Sequence, residues 1–567
     1  MHLPDSLFSS TDNEQLRSFV KNLLDTVEKQ SVQIERQRVQ IEQLVEENEQ
    51  LRAEIRHLKK HKGKPKIRPN VSDKGDDQED SSSAEDTDQA AGKSDTDRPP
   101  KSKRPRSQEA GETAAPPMTV DREEICSIAA PGENWRFKCY IDFFHTELDL
   151  RFVTTRYRRE YYTTPEGGVS APLPDHVKDR FGDNLKAHLL DFYHSCSTTQ
   201  PLLLSWLHDH GCSISEGSLS NILTKGHDIF HQEKEELLEA GLTCSDYLQA
   251  DDTGARHQGK NGYCLFIGNP YFSYFHSSDS KSRINFLGCL QGQQRLYLLN
   301  DVAIDYMENQ VDVSKKWITA LSECGEKRFS TEEEWESFLN SIGCAAPQQR
   351  RWATEGVLKA ALMLNHRLEN LIIHSDGARQ FDTAFQHSLC WYHAGRNMDK
   401  LIPANDLERA ARDTVQDQYW CLYDDIEAYQ KKPTDKEKQK LYQEFDRWVT
   451  QRVDYPALQA ELGKLMVVRE ELLLVLEYPW LPLHNNLSER QIREYVKRRK
   501  VGGGTRSKLG RKCRDTFASL KKTCKQHGVS FANYLRDRLT GTNLIPQLGH
   551  LILKASGYQE TVLANGI

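Results

Sequence analysis

Two adjacent carboxylates close a short extended run near the middle of this 567-residue chain. The run, Tyr247-Leu-Gln-Ala-Asp-Asp-Thr-Gly254, ends in Asp251, Asp252, a threonine and a glycine. A strand that delivers a carboxylate at its end and then turns is typical of a metal site in an α/β core. The same Asp-Thr-Gly turn is common on solvated surfaces, so this stretch alone does not decide between the two interpretations.

Two later stretches carry carboxylates in comparable positions. Asn370-Leu-Ile-Ile-His-Ser-Asp-Gly377 is a second apolar strand that ends at Asp376, and Leu483-His-Asn-Asn-Leu-Ser-Glu-Arg490 opens a helix that carries Glu489. Hard divalent cations prefer oxygen ligands, and a pair of such ions stabilises the attacking and leaving oxygens of a phosphodiester. An Asp, an Asp and a Glu on separate elements could therefore hold two metals for phosphodiester chemistry.

The composition excludes several broad classes of protein. The net charge is −7, so the molecule as a whole is not a basic nucleic-acid binder. The thirteen cysteines are odd in number and contain no CxxC pair, which indicates a reducing compartment rather than a disulfide framework. Zinc is not expected, because no Cys/His pairs have the spacing of a structural site. The N-terminus has no signal-peptide pattern, and no apolar run is long enough to predict a membrane span.

A strongly basic segment begins directly after Glu489. From Arg490 to Lys522 there are thirteen Lys or Arg residues against two acids, Glu494 and Asp515. Such local density is the electrostatic footprint of a nucleic-acid contact, although a solvated basic helix has the same composition. The predicted DNA-binding residues are Arg490, Arg493, Lys497, Arg498, Arg499 and Lys500.

Residues 12–61 show a heptad pattern, with apolar residues at most core positions. The a positions are Val20, Val27, Ile34, Ile41, Asn48 and Ile55, and the d positions are Leu23, Gln30, Gln37, Leu44, Leu51 and Leu58. Branched residues at a with leucine at d favour a parallel two-stranded coiled coil, and a polar Asn at a fixes its register. We therefore predict a homodimer through this segment. A solvated helix packed on its own domain is the alternative.

The rest of the chain divides by composition and periodicity. Residues 62–120 are charged and low in complexity, which predicts a disordered linker. Residues 121–182 carry strand-like aromatic runs and predict a small β-rich module. Residues 183–243 are helical and contain helix, glycine turn and second helix, which fits either a helix-turn-helix or a plain αα-hairpin.

The remaining residues are expected to form the catalytic core and its tail. Two further strands after Gly254 predict an antiparallel meander. The core would span residues 244–512, with helical insertions near 305–367 and 404–478, and residues 513–567 would form a helical tail. Cys390 and His393 lie three apart, but a packed core Cys with a neighbouring His explains them better than a metal site.

Four short motifs stand in order along the chain and are far more specific together than singly. They are Ala250-Asp-Asp-Thr253, His374-Ser-Asp-Gly377, Cys390-Trp-Tyr-His393 and Asn485-Asn-Leu-Ser-Glu-Arg490. They resemble the Ala-Asp-Glu-Thr, Ala-Asp-Gly, Cys-Trp-x-His and Asn-x-x-Ser-Glu-Arg motifs of the insertion-sequence-66 family of transposases. The resemblance covers roughly residues 185–540.

The resemblance implies an α/β fold, with an RNase H-like mixed sheet and helical insertions, preceded by an N-terminal coiled coil and a small β/helical DNA-binding region. It implies that Asp251, Asp376 and Glu489 are the catalytic and metal-binding residues, with two Mg²⁺ ions, or Mn²⁺ in their place. Successive side chains on a strand point to opposite faces, so Asp251 and Asp252 should not both serve one metal pair. The resemblance places the ligand at Asp251, and Asp252 stands where the family has Glu.

The implied function is DNA transposition: metal-dependent cleavage at element ends, followed by strand transfer into target DNA. The expected place of action is the cytoplasm of a bacterium, at the nucleoid. Two alternatives stay open, a catalytically inactive coiled-coil DNA-binding regulator and a metal-dependent nuclease without strand transfer. One departure from the family is that its cysteine-paired zinc module is not recognisable here.

Overall fold

In a computed structural model of the chain, the described residues are 123–126, 140, 143, 150–165, 167–292, 295–310, 313–364, 368–383 and 385–558. The predicted coiled coil, the linker of residues 62–120 and most of the β-rich module before residue 150 lie outside them. The described chain divides into two compact units. The larger unit takes its residues from Asn70–Leu371 and Leu487–Ile567, and the smaller unit from Ile372–Asn486.

A hairpin and a run of helices begin the larger unit. Strands β1 (Tyr161–Thr164) and β2 (Gly167–Ser170) pair antiparallel. The helices that follow are α1 (Asp183–Ser195), α2 (Gln200–Asp209), α3 (Glu216–Thr224) and α4 (Asp228–Thr243). Gly211, with φ of +80°, ends α2 in the left-handed region that glycine favours, and Ser215 caps α3 by accepting from the Ser218 N–H at 3.2 Å.

One strand-like aromatic run of the predicted β-rich module, Leu150–Tyr157, does not form a strand, because residues 150–160 have no regular structure. All of them except Phe152 are exposed. Within the described part of the chain this run has no covered face and pairs with no strand, so its aromatic residues gain little from an extended conformation. The hairpin forms a few residues later, where Gly167 supplies a positive φ of +150° at the turn.

Three strands of the larger unit form the predicted antiparallel meander. They are β3 (Tyr247–Gly254), β4 (Tyr263–Asn269) and β5 (Phe272–Ser278). The register places Asp251 opposite Phe266 and Phe266 opposite Phe275. These three side chains therefore lie on one face of the meander, because directly paired residues share a face.

Two long helices near the C-terminus cover that face. They are helix α15 (Asn486–Gly502) and helix α16 (Lys508–Gln526), and most of the predicted basic run, Arg490–Lys522, lies within them. Ile492 and Tyr495 of α15 pack in one buried cluster with Phe266 and Phe275. The chain thus returns to its central strands only after the whole smaller unit has been completed.

Helix α16 also satisfies the backbone of strand β5. The N–H of Ser277 donates to Asp515 Oδ2 at 2.7 Å, and the N–H of Phe275 donates to Ser519 Oγ at 2.9 Å. The N–H of Ser273 donates to the hydroxyl one turn further along α16, at 3.2 Å. Polar side chains spaced four apart on the helix thus pair with alternate N–H groups of the strand, so this edge is covered rather than open.

The other elements of the larger unit are mainly helical, as predicted for residues 305–367. They are α5 (Arg283–Leu290), α6 (Asp301–Glu308), α7 (Lys315–Ser322), α8 (Glu332–Ser341) and α9 (Pro347–Met363), with a short antiparallel pair, β6 (Tyr297–Leu299) and β7 (Lys327–Phe329), among them. Helices α17 (Phe531–Thr540) and α18 (Leu548–Ala555) follow α16.

A buried ion pair joins the last two helices to α4. Arg538 donates to both carboxylate oxygens of Glu233, at 2.8 and 2.9 Å. The same carboxylate accepts from the Tyr534 hydroxyl at 2.7 Å and from the Leu548 N–H at 3.1 Å. Both charged side chains are almost fully buried, so the pair is stable only because these hydrogen bonds replace water.

The smaller unit holds two parallel strands and five helices among its described residues. Strands β8 (Ile372–Ser375) and β9 (Gln386–Leu389) pair in parallel. The helices are α10 (Trp391–Asp399), α11 (Asp406–Lys431), α12 (Asp435–Val449), α13 (Pro456–Val467) and α14 (Arg469–Glu477). The helical character predicted for residues 404–478 is confirmed.

With strands β3 to β5 antiparallel and strands β8 and β9 parallel, the chain is a mixed α/β protein, as predicted. Among the described helices, none combines the length and the apolar character needed to cross a membrane. The described cysteines are all free thiols.

Candidate active site and basic helix face

The first turn of α15 is fixed to strand β3. The backbone N–H of Ser488 donates to Gln249 Oε1 at 3.2 Å, and both residues are buried. Gln249 and Asp251 are two residues apart on a strand, so their side chains point to the same face. Glu489, the residue after Ser488, is only 3% exposed. The candidate ligands Asp251 and Glu489 therefore lie within two residues of a hydrogen bond that joins their elements.

The far end of α15 is fixed to the end of the same strand. Arg499 donates to the carbonyl of Gly254 and lies 3.5 Å from the Thr253 hydroxyl. Beyond the helix, the Thr505 N–H donates to the Arg256 carbonyl at 3.0 Å. A side chain at Gly504 would clash with that carbonyl at 2.6 Å, which explains the last glycine of the run Gly502-Gly-Gly504.

Asp252 points to the opposite face of β3 from Asp251. Its carboxylate forms an ion pair with Lys281, which lies in the connection between β5 and α5. The Asp252 side chain is 6% exposed. The Lys281 ammonium thus neutralises the second of the two adjacent carboxylates. This pairing was not predicted, because the sequence around Lys281 has no motif or periodicity that indicates a site.

In the smaller unit, Asp376 is the first residue after strand β8. Its Oδ1 accepts from the Ala378 N–H at 3.1 Å, which fixes the carboxylate at a tight turn. Gly377 has φ of +88°, a conformation that other residues rarely adopt. Asp376 is exposed.

His393 lies close to Asp376 and was not predicted as a site residue. Burial lowers the pKa of His393, while the charge of Asp376 acts in the opposite direction. A lowered pKa keeps the imidazole neutral at physiological pH. The Cys-Trp-x-His motif could have indicated His393 as a site residue. The structure places this histidine in the first turn of α10.

The segment that leads to α15 is tied to the start of α10. The Cys390 N–H donates to the Ser375 carbonyl at 2.9 Å, and the Trp391 N–H donates to the Leu483 carbonyl at 3.0 Å. The Asn485 N–H points to Cys390 Sγ at 3.3 Å. Cys390 is 1% exposed, so its prediction as a packed core residue is confirmed.

The six predicted DNA-binding residues of α15 fall into two groups. Arg490, Arg493, Lys497 and Lys500 are exposed, and their spacing of three, four and three residues places them on one face of the helix. We call this set the basic stripe. Arg498 is instead buried, with its guanidinium 4.1 Å from the centre of the Tyr193 ring and donating to the Thr198 carbonyl at 2.9 Å. Arg498 and Arg499 are therefore engaged within the fold.

The donor chemistry of the three candidate ligands fits a hard divalent cation. All three are carboxylates, which Mg²⁺ and Mn²⁺ prefer over the nitrogen and sulfur ligands of zinc. Glu489 is buried in the first turn of a helix, where the dipole favours negative charge. Within the described part of the chain, no group of three or more His, Cys, Asp or Glu residues is arranged to hold a metal ion.

Comparison with known proteins shows similarity to a family model and to a relative. The family model described as the Transposase IS66 family matches residues 360–512, which include Asp376, His393 and Glu489. An uncharacterized protein of Sinorhizobium fredii, y4jO, is 35% identical over 305 residues. That alignment covers 53% of this chain and 94% of the relative. The chain belongs to the IS66 family of transposases.

Proposed function

We propose that this protein is a DNA transposase that cleaves phosphodiester bonds at the ends of its element and joins the freed 3′ ends to target DNA. Family membership supports a transposase role. The observation that carries the proposal for the chemistry is the bond between Ser488 and Gln249, since it fixes the start of α15 to the Asp251 face of β3.

In this proposal Asp251, Asp376 and Glu489 hold two Mg²⁺ ions, with Mn²⁺ as a substitute and without zinc. When bound, such ions stabilise charge on the phosphate and its in-line oxygens and lower the pKa of the attacking water. The protein contributes fixed carboxylates on strand ends and on a helix start. Such rigid elements hold a ligand set more precisely than free loops do.

The other residues of the site have supporting roles in the proposal. Lys281 neutralises Asp252, which limits the negative charge that a phosphate meets near Asp251. Neutral His393 beside Asp376 can exchange a hydrogen bond with substrate or water without adding charge. The basic stripe binds backbone phosphates, because phosphate contacts position DNA irrespective of its sequence.

The proposed partners are DNA, both element ends and target, and a second copy of the chain through residues 12–61. The place of action would be the nucleoid in the bacterial cytoplasm, where this substrate is found.

Cleavage and joining assays on DNA that carries the element ends test the proposal. Wild-type protein with Mg²⁺ should nick at the end and join a labelled 3′ end to a target plasmid. Asp376→Ala and Glu489→Gln should each lower cleavage by more than about 100-fold while DNA binding persists, since loss of an indirect metal support already costs about 10–100-fold. Glu239→Gln, an exposed carboxylate on α4, is the matched control.

The alternatives are separate outcomes of the same assays. Binding without cleavage by wild-type protein would indicate an inactive DNA-binding regulator. Cleavage without joining would indicate a nuclease. Cleavage that survives in Glu489→Gln would show that the carboxylate set is misassigned.

A further inference from the structure

A small cavity lies in the larger unit beside α15, α16 and the end of α1. Its volume is about 40 Å³. Its lining includes His194 of α1, Arg498 of α15 and Lys521 of α16. A buried water needs roughly 10–15 Å³, so the cavity has room for a few waters or for the oxygens of one tetrahedral anion. We call it the α15–α16 pocket.

The charge of this pocket is strongly unbalanced. The lining carries four cations and one carboxylate: Arg498, Arg514, Lys521, Lys522 and Glu494. Lys521 and Lys522 both form ion pairs with the single Glu494. One carboxylate cannot neutralise four cations, so an excess of positive charge remains in a partly enclosed space, where Coulomb interactions are weakly screened.

The pKa shifts of the lining side chains agree with this excess of positive charge. Burial lowers the pKa of Lys522, although the charge of Glu494 opposes that effect. Burial also opposes ionisation of Glu494, yet Lys522 and Lys521 lower its pKa to about 2. Glu494 therefore stays charged near neutral pH, and among the described residues that line the pocket it is the one carboxylate against four cations.

A neutral histidine adds a hydrogen-bonding atom without a partner in the fold. His194 is partly buried, and desolvation together with the charge of Arg498 lowers its pKa well below the usual value. Its Nε2 makes no hydrogen bond within the described residues. Buried polar atoms are normally satisfied, so an orphan imidazole nitrogen in the lining of a cationic cavity is an observation that points to a missing ligand.

We propose that the α15–α16 pocket binds one phosphodiester group of the DNA backbone. The inference rests on the proposed function, which supplies DNA as the substrate. Arg514 and Lys521 would contact the non-bridging oxygens, and His194 would donate from Nε2. On α15 the pocket is lined by one helix face, Gln491, Glu494, Tyr495 and Arg498, whereas Glu489, two positions before Gln491, projects from the opposite face. The pocket and the candidate active site would thus hold different phosphates, which fixes the DNA relative to α15.

Two kinds of variant distinguish the contribution of the pocket's charge to DNA binding from the contribution of its volume. Arg514→Gln removes a cation, and Ala518→Leu fills the cavity without changing its charge. Lys316→Gln, an exposed lysine on α7, is the matched control. Affinity of the full-length protein for a DNA duplex is measured between 50 and 200 mM salt, with thermal unfolding of each variant to establish that it is folded.

Arg514→Gln is expected to weaken binding and to reduce the slope of log affinity against log salt by about 0.9, the value for one lost phosphate contact. Ala518→Leu should weaken binding and lower the slope similarly, because it excludes the phosphate. Glu494→Gln removes the opposing charge and should tighten binding. Lys316→Gln should behave as wild type.

Several results would overturn the proposal. Pocket variants that bind like wild type, in a protein that binds and cleaves DNA, would refute the pocket and leave the proposed function standing. Equal weakening by Glu494→Gln would indicate damaged packing instead of a phosphate site. If inorganic phosphate raises the unfolding temperature of wild type but not of Arg514→Gln, while DNA affinity is unchanged, the pocket binds free anions only. Failure of wild type to bind any DNA would overturn both proposals.

Discussion

The backbone N–H of Ser488 and the side-chain oxygen of Gln249 are 3.2 Å apart, so a helix that begins near residue 486 is anchored to a strand that ends at residue 254. The bond is local in space and very distant in sequence. It gives a buried N–H of the first helical turn, which has no acceptor within the helix, a partner on the strand. It also fixes the position of Glu489, the next residue, relative to strand β3.

Gln249→Ala should therefore impair cleavage more than DNA binding. The Ser488 N–H would lose its partner while buried, which costs about 1–3 kcal/mol, and Glu489 would no longer be held in place. Unfolding midpoints and Mg²⁺-dependent cleavage are the measurements. Gln232→Ala, at an exposed position of α4 where the amide donates to Glu236, is the control and should change neither quantity. Normal cleavage by Gln249→Ala would show that Glu489 needs no such support.

The adjacent carboxylates Asp251 and Asp252 should differ sharply in their tolerance of substitution. Asp251→Glu moves the carboxylate outward by about 1.5 Å, and catalytic sites tolerate only about 0.5 Å, so we expect a loss of more than about 100-fold in cleavage. Asp252→Glu keeps an acid within reach of Lys281 and should retain most of the activity. An active Asp251→Glu beside an inactive Asp252→Glu would mean that Asp252 is the ligand.

Arg538→Met should destabilise the larger unit by about 3–5 kcal/mol, because it leaves the buried Glu233 carboxylate without its charged partner. Denaturant unfolding followed by tryptophan fluorescence measures the effect. Arg536→Met, on the exposed side of the same helix, should change stability by less than about 0.5 kcal/mol. Similar stability of the two variants would mean that the ion pair contributes little.

A peptide of residues 12–61 should be helical and dimeric by itself. The heptads from Val20 to Leu58 bury branched and leucine side chains only when two helices associate. Circular dichroism and sedimentation equilibrium at tens of micromolar, on the order of coiled-coil assay concentrations, test this. Substitution of Ile34 and Ile41 by Lys should give a monomer. A monomeric wild-type peptide would refute the dimer prediction.

The central strands were predictable because their signals are local. The Tyr247–Gly254 run coincides with strand β3, and the apolar run Asn370–Gly377, predicted as a strand that ends at Asp376, contains strand β8 at Ile372–Ser375. Both are apolar runs that end in an acid and a turn, so neighbouring residues alone determine them. Strands β6 and β7 were missed because three residues cannot show a period.

The partners of the candidate site residues were not predictable, since each depends on a contact between distant segments. Nothing near Arg498 in sequence distinguishes it from Lys497, yet one packs on Tyr193 and the other is exposed. Lys281 likewise shows no sequence signal for its pairing with Asp252. Helical periodicity predicts which residues share a face, but it does not identify the distant ring or carboxylate that this face meets.

The pairing of Glu233 with Arg538 has a consequence for synthesis of the protein. The two residues are 305 positions apart, so a ribosome working at about 5–20 residues per second makes the carboxylate roughly 15–60 seconds before its partner. Throughout that interval the Glu233 carboxylate of α4 lacks the cation that makes its burial favourable. In a prematurely terminated chain that lacks residue 538, Glu233 would never gain this partner. We therefore expect such truncated products to be degraded by proteases, so that they do not compete with the complete protein for DNA.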